Sequence, residues 1–386
     1  MSRIENIPQM TVTTCERFQR CSVGAAWPVL AALLLLLAAC DRRGVAPPAG
    51  GGSAGALAAA ATDPCACCRP AEEARTARFL DENQGRYEAA LARARRWLDA
   101  LRVEPAELRQ AGIKGKKKLV EQLDSYLRLY GVAQPAERAA LAQRIKEVAA
   151  PTSRPEYHDL LQVGDEVFKQ DATSYLRAAY LLEQVGLDTT LYRAEIAKIQ
   201  PRLDGHMGRR GAHQRMAFHW YYKHFGLTEP FLLAEGFKLG VIAKRLDAYS
   251  YKQALQVYDL THEIFVPYQF GEKLDADFFN EDEKIYLRKT LDRLTVRYIM
   301  IDDADLVSEL VSCIRFLRFT DLPVYREALG YLLDAQRPEG KWGSYERMRQ
   351  RLGDLVDQGY YLHTTAVAID ALTVAFHFRP DRPAQR

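Results

Sequence analysis

The strongest constraint on the fold is a helical periodicity that runs through most of the chain. From Ala71 onward, apolar residues recur at spacings of three and four, in runs bounded by glycine and proline. This pattern predicts amphipathic helices, and no run alternates at period two, so strands are not expected. The predicted helices cover residues 71–101, 117–130, 136–148, 157–168, 174–184, 191–199, 231–246, 251–266, 281–300, 303–319, 322–335 and 357–377.

These helices pair into hairpins that follow one another about 40 to 55 residues apart. Each hairpin of such a repeat must bury its apolar face against its neighbours, which predicts a solenoid or a closed ring. The expected fold is therefore all-α, with helical-hairpin repeats forming an α/α toroid or partial toroid.

Composition excludes some classes of function. The 386 residues are 48% hydrophobic, which is enough for a substantial core. Lys and Arg total 53 against 50 Asp and Glu, so the net charge of +3 gives no electrostatic reason to expect nucleic acid as a partner. Six of the seven cysteines lie in the first 68 residues, so no disulfide framework is predicted for the folded part.

The N-terminal segment, residues 1–39, resembles a bacterial lipoprotein signal peptide. Its apolar block at 25–39 has the length of a signal-peptide core and is short for a transmembrane span. The block ends in Leu-Ala-Ala-Cys at Cys40, which resembles the lipobox, and Arg17 and Arg20 lie upstream. The alternative is an uncleaved membrane anchor, and both interpretations place the bulk of the chain outside the cytoplasmic membrane.

The lipobox resemblance implies a cell-envelope lipoprotein, lipidated at Cys40 and facing the periplasm or the exterior. Asp41 resembles the inner-membrane retention signal of enterobacteria and favours that membrane. Residues 40–70 then read as a lipidated, disordered tether rich in Ala, Gly and Pro. The remainder divides into an N-terminal helical region at 71–200 and a C-terminal toroid-like region at 201–380.

A motif near the C-terminus supports the toroid prediction. The spacing Tyr331-Leu-x3-Gln336-x3-Gly340-x-Trp342 resembles the QW motif of the α/α-toroid proteins, such as terpenoid cyclases and protein prenyltransferases. The resemblance implies that the glutamine hydrogen-bonds backbone at a helix end and that the tryptophan stacks on the turn, so both stabilise neighbouring hairpins. The following His363-Thr-Thr resembles the prenyltransferase segment that supplies a zinc-binding histidine.

The chain departs from both enzyme families. Class II terpenoid cyclases need Asp-x-Asp-Asp, whereas residues 302–305 read Asp-Asp-Ala-Asp. The Asp-x-Cys pair that completes the prenyltransferase zinc site is also missing, so only His363 carries over. The resemblance therefore predicts a fold rather than a reaction.

Four residues are candidates for chemistry because they are polar groups on otherwise apolar helices. His363 and His262 could each transfer a proton or bind a metal, or could instead be hydrogen-bonded core histidines. Asp305 and Glu309 share a stripe at i and i+4, and they point into a cavity if their helix is an inner one or into solvent if it is an outer one. A fifth feature, the histidine- and aromatic-rich stretch at 205–225, predicts packing between helices.

Two functions remain open from the sequence. One is an enzyme in which His262, Asp305, Glu309 and His363 are catalytic. Its chemistry would be acid–base, as in toroidal polysaccharide lyases, or would use a metal such as zinc held by His262, Glu309 and His363. The other is a non-catalytic scaffold of the cell envelope that binds a peptide, a glycan or another envelope protein.

A geometric prediction accompanies the enzyme hypothesis. His262 and His363 should lie on inner helices and meet at Asp305 or Glu309, on the helix between them. The helical register opposes this, because His262 lies late in the helix predicted at 251–266 whereas Asp305 and His363 lie early in theirs. The four residues can meet only if that helix begins later than the pattern indicates.

Overall fold

The structure, a computed structural model, describes residues 68–101 and 115–377 and contains no β-strand within these ranges. The all-α prediction is confirmed. The helices are α1 (Arg69–Glu82), α2 (Gln84–Ala100), α3 (Lys116–Val132), α4 (Pro135–Ala149), α5 (Asp165–Gln184), α6 (Thr190–Met207), α7 (Ala212–Phe225), α8 (Leu233–Leu239), α9 (Ala254–Phe265), α10 (Glu281–Met300), α11 (Ala304–Phe316), α12 (Pro323–Ala335), α13 (Glu346–Leu352) and α14 (Leu362–Phe376).

Several predicted helix bounds were wrong, for identifiable physical reasons. The helices predicted at 157–168 and 174–184 are replaced by the single helix α5, which begins after Gly164 with Asp165 and Glu166 in its positively polarised first turn. The helix predicted at 231–246 ends at Leu239, because the next backbone amides donate to a buried carboxylate, that of Glu263, instead of continuing the helix.

Pro201 was expected to end a helix but lies inside α6. A proline in a helix interior removes one hydrogen bond and costs about 3 kcal/mol or more. Ile199 and Leu203, which flank it, are both fully buried, so apolar burial continues along α6 through the proline. Packing of this face offsets the local cost.

Six helices form a closed cycle of contacts. In order, α3 packs against α5, α5 against α7, α7 against α9, α9 against α11, α11 against α14, and α14 again against α3. The intervening helices α4, α6, α8, α10 and α12 each pack against a member of this cycle. Side chains on neighbouring members of the cycle can therefore meet although they are far apart in sequence.

Helix α11 lies at the centre of the C-terminal half. Every one of its residues from Ala304 to Phe316 is buried, because α9, α10, α12 and α14 all pack around it. Its apolar face includes Leu306, Leu310 and Ile314, none of which reaches solvent. Truncation of one such leucine to alanine typically costs about 2–5 kcal/mol. This burial resolves the alternative left open for Asp305 and Glu309, since α11 is not solvated on their side.

The turn at Gln336–Gly340 is fastened to helix α2. The Gln336 amide nitrogen donates to the carbonyl oxygens of Ala90 and Gly340, both at 2.9 Å, and its amide oxygen accepts from Arg93 Nε at 2.8 Å. Gly340 has φ of 105°. A Cβ there would collide with the Arg93 carbonyl, so the position requires glycine on both counts.

Trp342 fastens the same turn to two other helices. Its side chain is fully buried, and the indole nitrogen donates to the Leu332 carbonyl of α12 at 2.7 Å. Its backbone amide donates to the Thr365 hydroxyl of α14 at 3.1 Å. These contacts support the stabilising role that the QW resemblance implies for Gln336, Gly340 and Trp342.

The described residues of the predicted helical regions 71–200 and 201–380 belong to one compact unit. In its described part, α3 from the first region packs against α14 from the second. No helix in 68–101 or 115–377 is both long and apolar enough to cross a membrane. The predicted signal peptide, Cys40, Asp41 and nearly all of the predicted tether lie outside the described residues.

Candidate functional site

The four residues singled out in the sequence meet in one polar cluster between α3, α9, α11 and α14. Asp305 and Glu309 project from α11 one turn apart and are only 5% and 2% exposed. His262 comes from α9 and His363 from α14, and their side chains are 33% and 32% exposed. The imidazoles thus reach solvent while the carboxylates behind them do not.

His363 is held between two carboxylates. Its Nδ1 lies 2.8 Å from Glu121 Oε1 on α3, and its Nε2 lies 3.8 Å from Asp305 Oδ1. Burial disfavours a charged imidazole and Lys117 adds to that effect, but Asp305 and Glu121 outweigh both and raise the pKa of His363 to about 9. The ring therefore carries a positive charge at neutral pH.

His262 has the opposite protonation state. Its Nδ1 donates to the Tyr258 carbonyl at 2.9 Å, which leaves Nε2 with a free lone pair. Burial lowers the pKa of His262 to about 3, aided by the nearby imidazoles of His213 and His363. The His213 ring lies 5.6 Å from that of His262, centroid to centroid, and is oriented by Asp259 at 2.7 Å from its Nδ1.

Hydroxyl groups orient the two carboxylates. Asp305 accepts hydrogen bonds from the Tyr258 hydroxyl and, at 3.0 Å, from the Thr364 hydroxyl. Glu309 accepts from the Thr261 hydroxyl and lies 3.7 Å from His262 Nδ1. Burial, reinforced by the charge of Asp305, raises the pKa of Glu309 to about 8, so this carboxyl is largely protonated at neutral pH.

Helix α9 begins at Ala254, three positions later than predicted, but His262 still lies late in it. The axial offset expected from the sequence is absorbed because the two histidines pair with different carboxylates, His363 with Asp305 and His262 with Glu309 one turn further along α11. The structure therefore brings all four side chains together, although not around a single point.

The proposed metal ligands do not fit a zinc site. Across residues 68–101 and 115–377, no group of three or more His, Cys, Asp or Glu side chains is arranged to hold a metal ion. In the trio His262, Glu309 and His363, the Nδ1 of His262 is bonded to a carbonyl and the Nε2 of His363 faces Asp305 rather than Glu309. A zinc ligand set needs three donors within about 2.0–2.2 Å of one point.

A π-helical turn positions His363. The segment Asp357–Tyr361 widens to i→i+5 geometry immediately before α14 begins. Such turns are rare and frequently occur at functional sites, because they shift the next side chains off the regular helical register. Lys341 Nζ, 2.6 Å from Asp357, and Arg349, 2.8 Å from the same carboxylate, anchor the turn.

Sequence reasoning missed the groups that tune these four residues. Tyr258 lies one turn before His262 on α9, but the sequence does not reveal its bond to Asp305, nor the bonds of Thr261 to Glu309 and of Thr364 to Asp305. Glu121 gave no signal, since it lies in an ordinary charged helix 242 positions from His363. The local signal available in the sequence is a hydroxyl-bearing residue one or four positions before a candidate histidine, as Thr261 and Tyr258 are before His262.

Comparison with known proteins gives a family and no function. The family model described as "Domain of unknown function (DUF6895)" matches residues 87–371, which include all four residues of the polar cluster. No curated protein and no solved structure matches the chain significantly.

Proposed function

The chain belongs to the DUF6895 family, and we propose that it is a general acid–base enzyme whose active site is the His262–Asp305–Glu309–His363 cluster. One observation carries this proposal. Two imidazoles, each about one third exposed, lie beside two buried carboxylates one turn apart on α11, His262 beside Glu309 and His363 beside Asp305, and hold opposite protonation states at neutral pH. Titratable groups whose pKa values are driven apart are the usual basis of acid and base roles in one site.

The roles follow from the contacts. His262, neutral and with its Nε2 lone pair free, acts as the base that removes a proton from the substrate. His363, charged and held by Glu121 and Asp305, donates a proton to the leaving group or stabilises a developing anion. Water then returns a proton from His262 to His363 after the product leaves. Glu309, protonated at neutral pH, is a second acid beside His262.

The fold and location complete the proposal. The cyclic packing of α3, α5, α7, α9, α11 and α14 supports an α/α toroid or partial toroid, with the cluster on its inner helices. The QW-like turn supports the same arrangement. The N-terminal sequence supports lipidation at Cys40, a membrane anchor and a position in the bacterial cell envelope facing the periplasm or exterior, with the inner membrane favoured by Asp41.

The test uses the purified full-length chain and its His262→Gln and His363→Gln variants. Each is incubated with cell-envelope glycans, acidic polysaccharides and peptides, and the products are identified by mass spectrometry. We expect turnover by the wild type and a loss of about 10²–10⁴-fold in each variant, since this is the usual contribution of a positioned acid or base. Chelator treatment should leave the rate unchanged.

The competing function is the non-catalytic scaffold. All four cluster residues have partners within the protein, which also suits a purely structural network. If the wild type binds a peptide, glycan or envelope protein without turning it over, and both variants bind equally well but melt at lower temperature, the scaffold replaces the enzyme proposal.

A further inference from the structure

A cavity of about 270 Å³ lies outside the acid–base cluster and is lined by none of the four proposed catalytic residues. Helix α5 contributes Arg177 and Tyr180 to its lining, and α7 contributes Trp220 and Tyr221. The loop after α9 contributes Phe270. A concave site with aromatic walls and a few polar groups is the usual form of a small-ligand site.

The aromatic walls are fixed in place. The Trp220 indole nitrogen donates to the Val266 carbonyl at 2.6 Å, which sets the plane of that ring. Tyr180 and Tyr221 pack edge to face at 6.5 Å between centroids. The Tyr180 hydroxyl also donates a hydrogen bond to the Glu272 carboxylate. Rings held in this way offer flat apolar faces with little conformational entropy to lose on binding.

Charged and neutral polar groups surround these rings. Arg177 is paired with Asp124, and its guanidinium lies 5.6 Å from the Phe270 ring centroid. The Lys223 ammonium lies 5.6 Å from the Trp220 ring centroid at the exposed rim, so it is the cation that an incoming ligand meets first. Glu272 is the acid of the lining, and Gln184 and Gln269 add neutral amides.

The loop that completes the cavity is held in a strained conformation. Gln269 and Phe270 have backbone φ angles of 49° and 55°, values that residues other than glycine rarely adopt. Arg128 Nη2 donates to the Phe270 carbonyl at 2.8 Å, and Arg128 Nε is itself held by Asp370 at 2.7 Å. Strain of this kind persists where the surroundings over-determine it, as at ligand clamps.

The cavity neighbours the acid–base cluster along helix α3. Glu121, which holds His363, and Arg128, which holds the loop, are seven residues apart on that helix, a rise of about 10 Å. A second connection is aromatic: the His262 ring lies 5.5 Å from Phe265, and Phe265 lies 6.0 Å from Phe270. Packed side chains therefore join the wall of the cavity to the cluster.

We infer that this cavity is a subsite for one acidic sugar unit of a glycan, and this inference rests on the proposed acid–base function. The C–H face of a pyranose ring stacks on Trp220 or Tyr180, and the ring hydroxyls bond to Gln184 and Gln269. The sugar carboxylate pairs with Lys223. A cavity of about 270 Å³ holds a single ring of this kind and no folded peptide.

The test measures binding of trigalacturonate, and of its methyl ester as a neutral match, to the purified full-length chain by titration calorimetry. We expect the acid to bind more tightly than the ester. Lys223→Gln should weaken the acid about tenfold and leave the ester unchanged, and Lys244→Gln, an exposed lysine outside the lining, should change neither. Trp220→Leu should weaken both ligands while the circular dichroism spectrum is retained.

The outcomes separate this inference from the function on which it rests. Equal binding of acid and ester, no binding of either, or insensitivity to both Lys223→Gln and Trp220→Leu would overturn the subsite. His262→Gln should retain trigalacturonate binding whether or not the wild type turns it over. If trigalacturonate binds but no glycan is turned over, the subsite stands and the acid–base function is removed. If a glycan is turned over at a rate that Lys223→Gln does not change, the acid–base function stands and the subsite is removed.

Discussion

Glu121 and His363, separated by 242 positions in the sequence, are joined by a contact of 2.8 Å between Oε1 and Nδ1. This contact links α3 near the start of the helical unit to α14 near its end. It also fixes which nitrogen of His363 is occupied, so Nε2 faces Asp305. One pairing thus contributes both to the closure of the helix cycle and to the charge of the proposed acid.

The first prediction concerns the pH dependence of stability at His363. The folded pKa of about 9 lies above the ordinary value near 6.5, so charged His363 stabilises the fold fully below about pH 6.5. That contribution is lost as pH rises through about 9. The melting temperature of His363→Gln should therefore fall below that of the wild type at pH 6, with the difference shrinking by pH 9.5. A difference that is independent of pH would contradict the charge assigned to this ring.

The contribution of Glu309 to stability should also depend on pH, but here the replacement should make the protein more stable at high pH. Its pKa, raised to about 8 by burial and by Asp305, favours the fold while the carboxyl is protonated, and this stabilisation is lost as pH rises through about 8. Glu309→Gln keeps a neutral side chain of the same shape. It should unfold like the wild type near pH 5 and be more stable than the wild type at pH 9. Glu339→Gln, at an exposed position, serves as the control and should match the wild type at both pH values.

The sequence predicted the helices and the common stripe of Asp305 and Glu309, but it left open whether that stripe faces inward and gave no sign of the contacts that shift the pKa values. Local periodicity was enough to place Asp305 and Glu309 on one stripe of a helix, because i and i+4 positions share a face. The contacts of His363 with Glu121, and of the strained Phe270 with Arg128, join distant segments, and no local pattern encodes them. The zinc ligands proposed from the sequence, His262, Glu309 and His363, do not fit for the same reason. The sequence gives the residue types but not the directions in which the histidine nitrogens point.

The QW-like turn allows a test with a matched pair of glycines. Gly340→Ala introduces a methyl group at φ of 105° and against the Arg93 carbonyl, and it should destabilise the protein by about 2 kcal/mol or more. Gly131→Ala, near the end of α3, meets no atom within 4 Å and should be neutral or stabilising by up to about 1 kcal/mol. Urea unfolding of both variants measures the difference, and equal effects would show that the turn does not require glycine.

Lipidation at Cys40 remains a prediction from the sequence. Cells that express the protein with an alkyne-bearing fatty acid should yield a labelled chain. Cys40→Ser should abolish the label and leave the precursor unprocessed. Cys68→Ser, at an exposed cysteine just before α1, should keep the label and so controls for acylation elsewhere. Persistent labelling of Cys40→Ser would contradict the lipoprotein assignment.

The central claim is that the two histidines of the polar cluster, His262 and His363, hold opposite protonation states, and ring-carbon NMR titration of the wild type tests it most directly. The His262→Gln and His363→Gln spectra assign the two resonances. We predict that His363 titrates near pH 9 and that His262 stays neutral down to about pH 3. Titration of both rings near their ordinary value, about 6.5, would mean that neither is tuned by the carboxylates beside it, and the acid–base proposal would lose its basis.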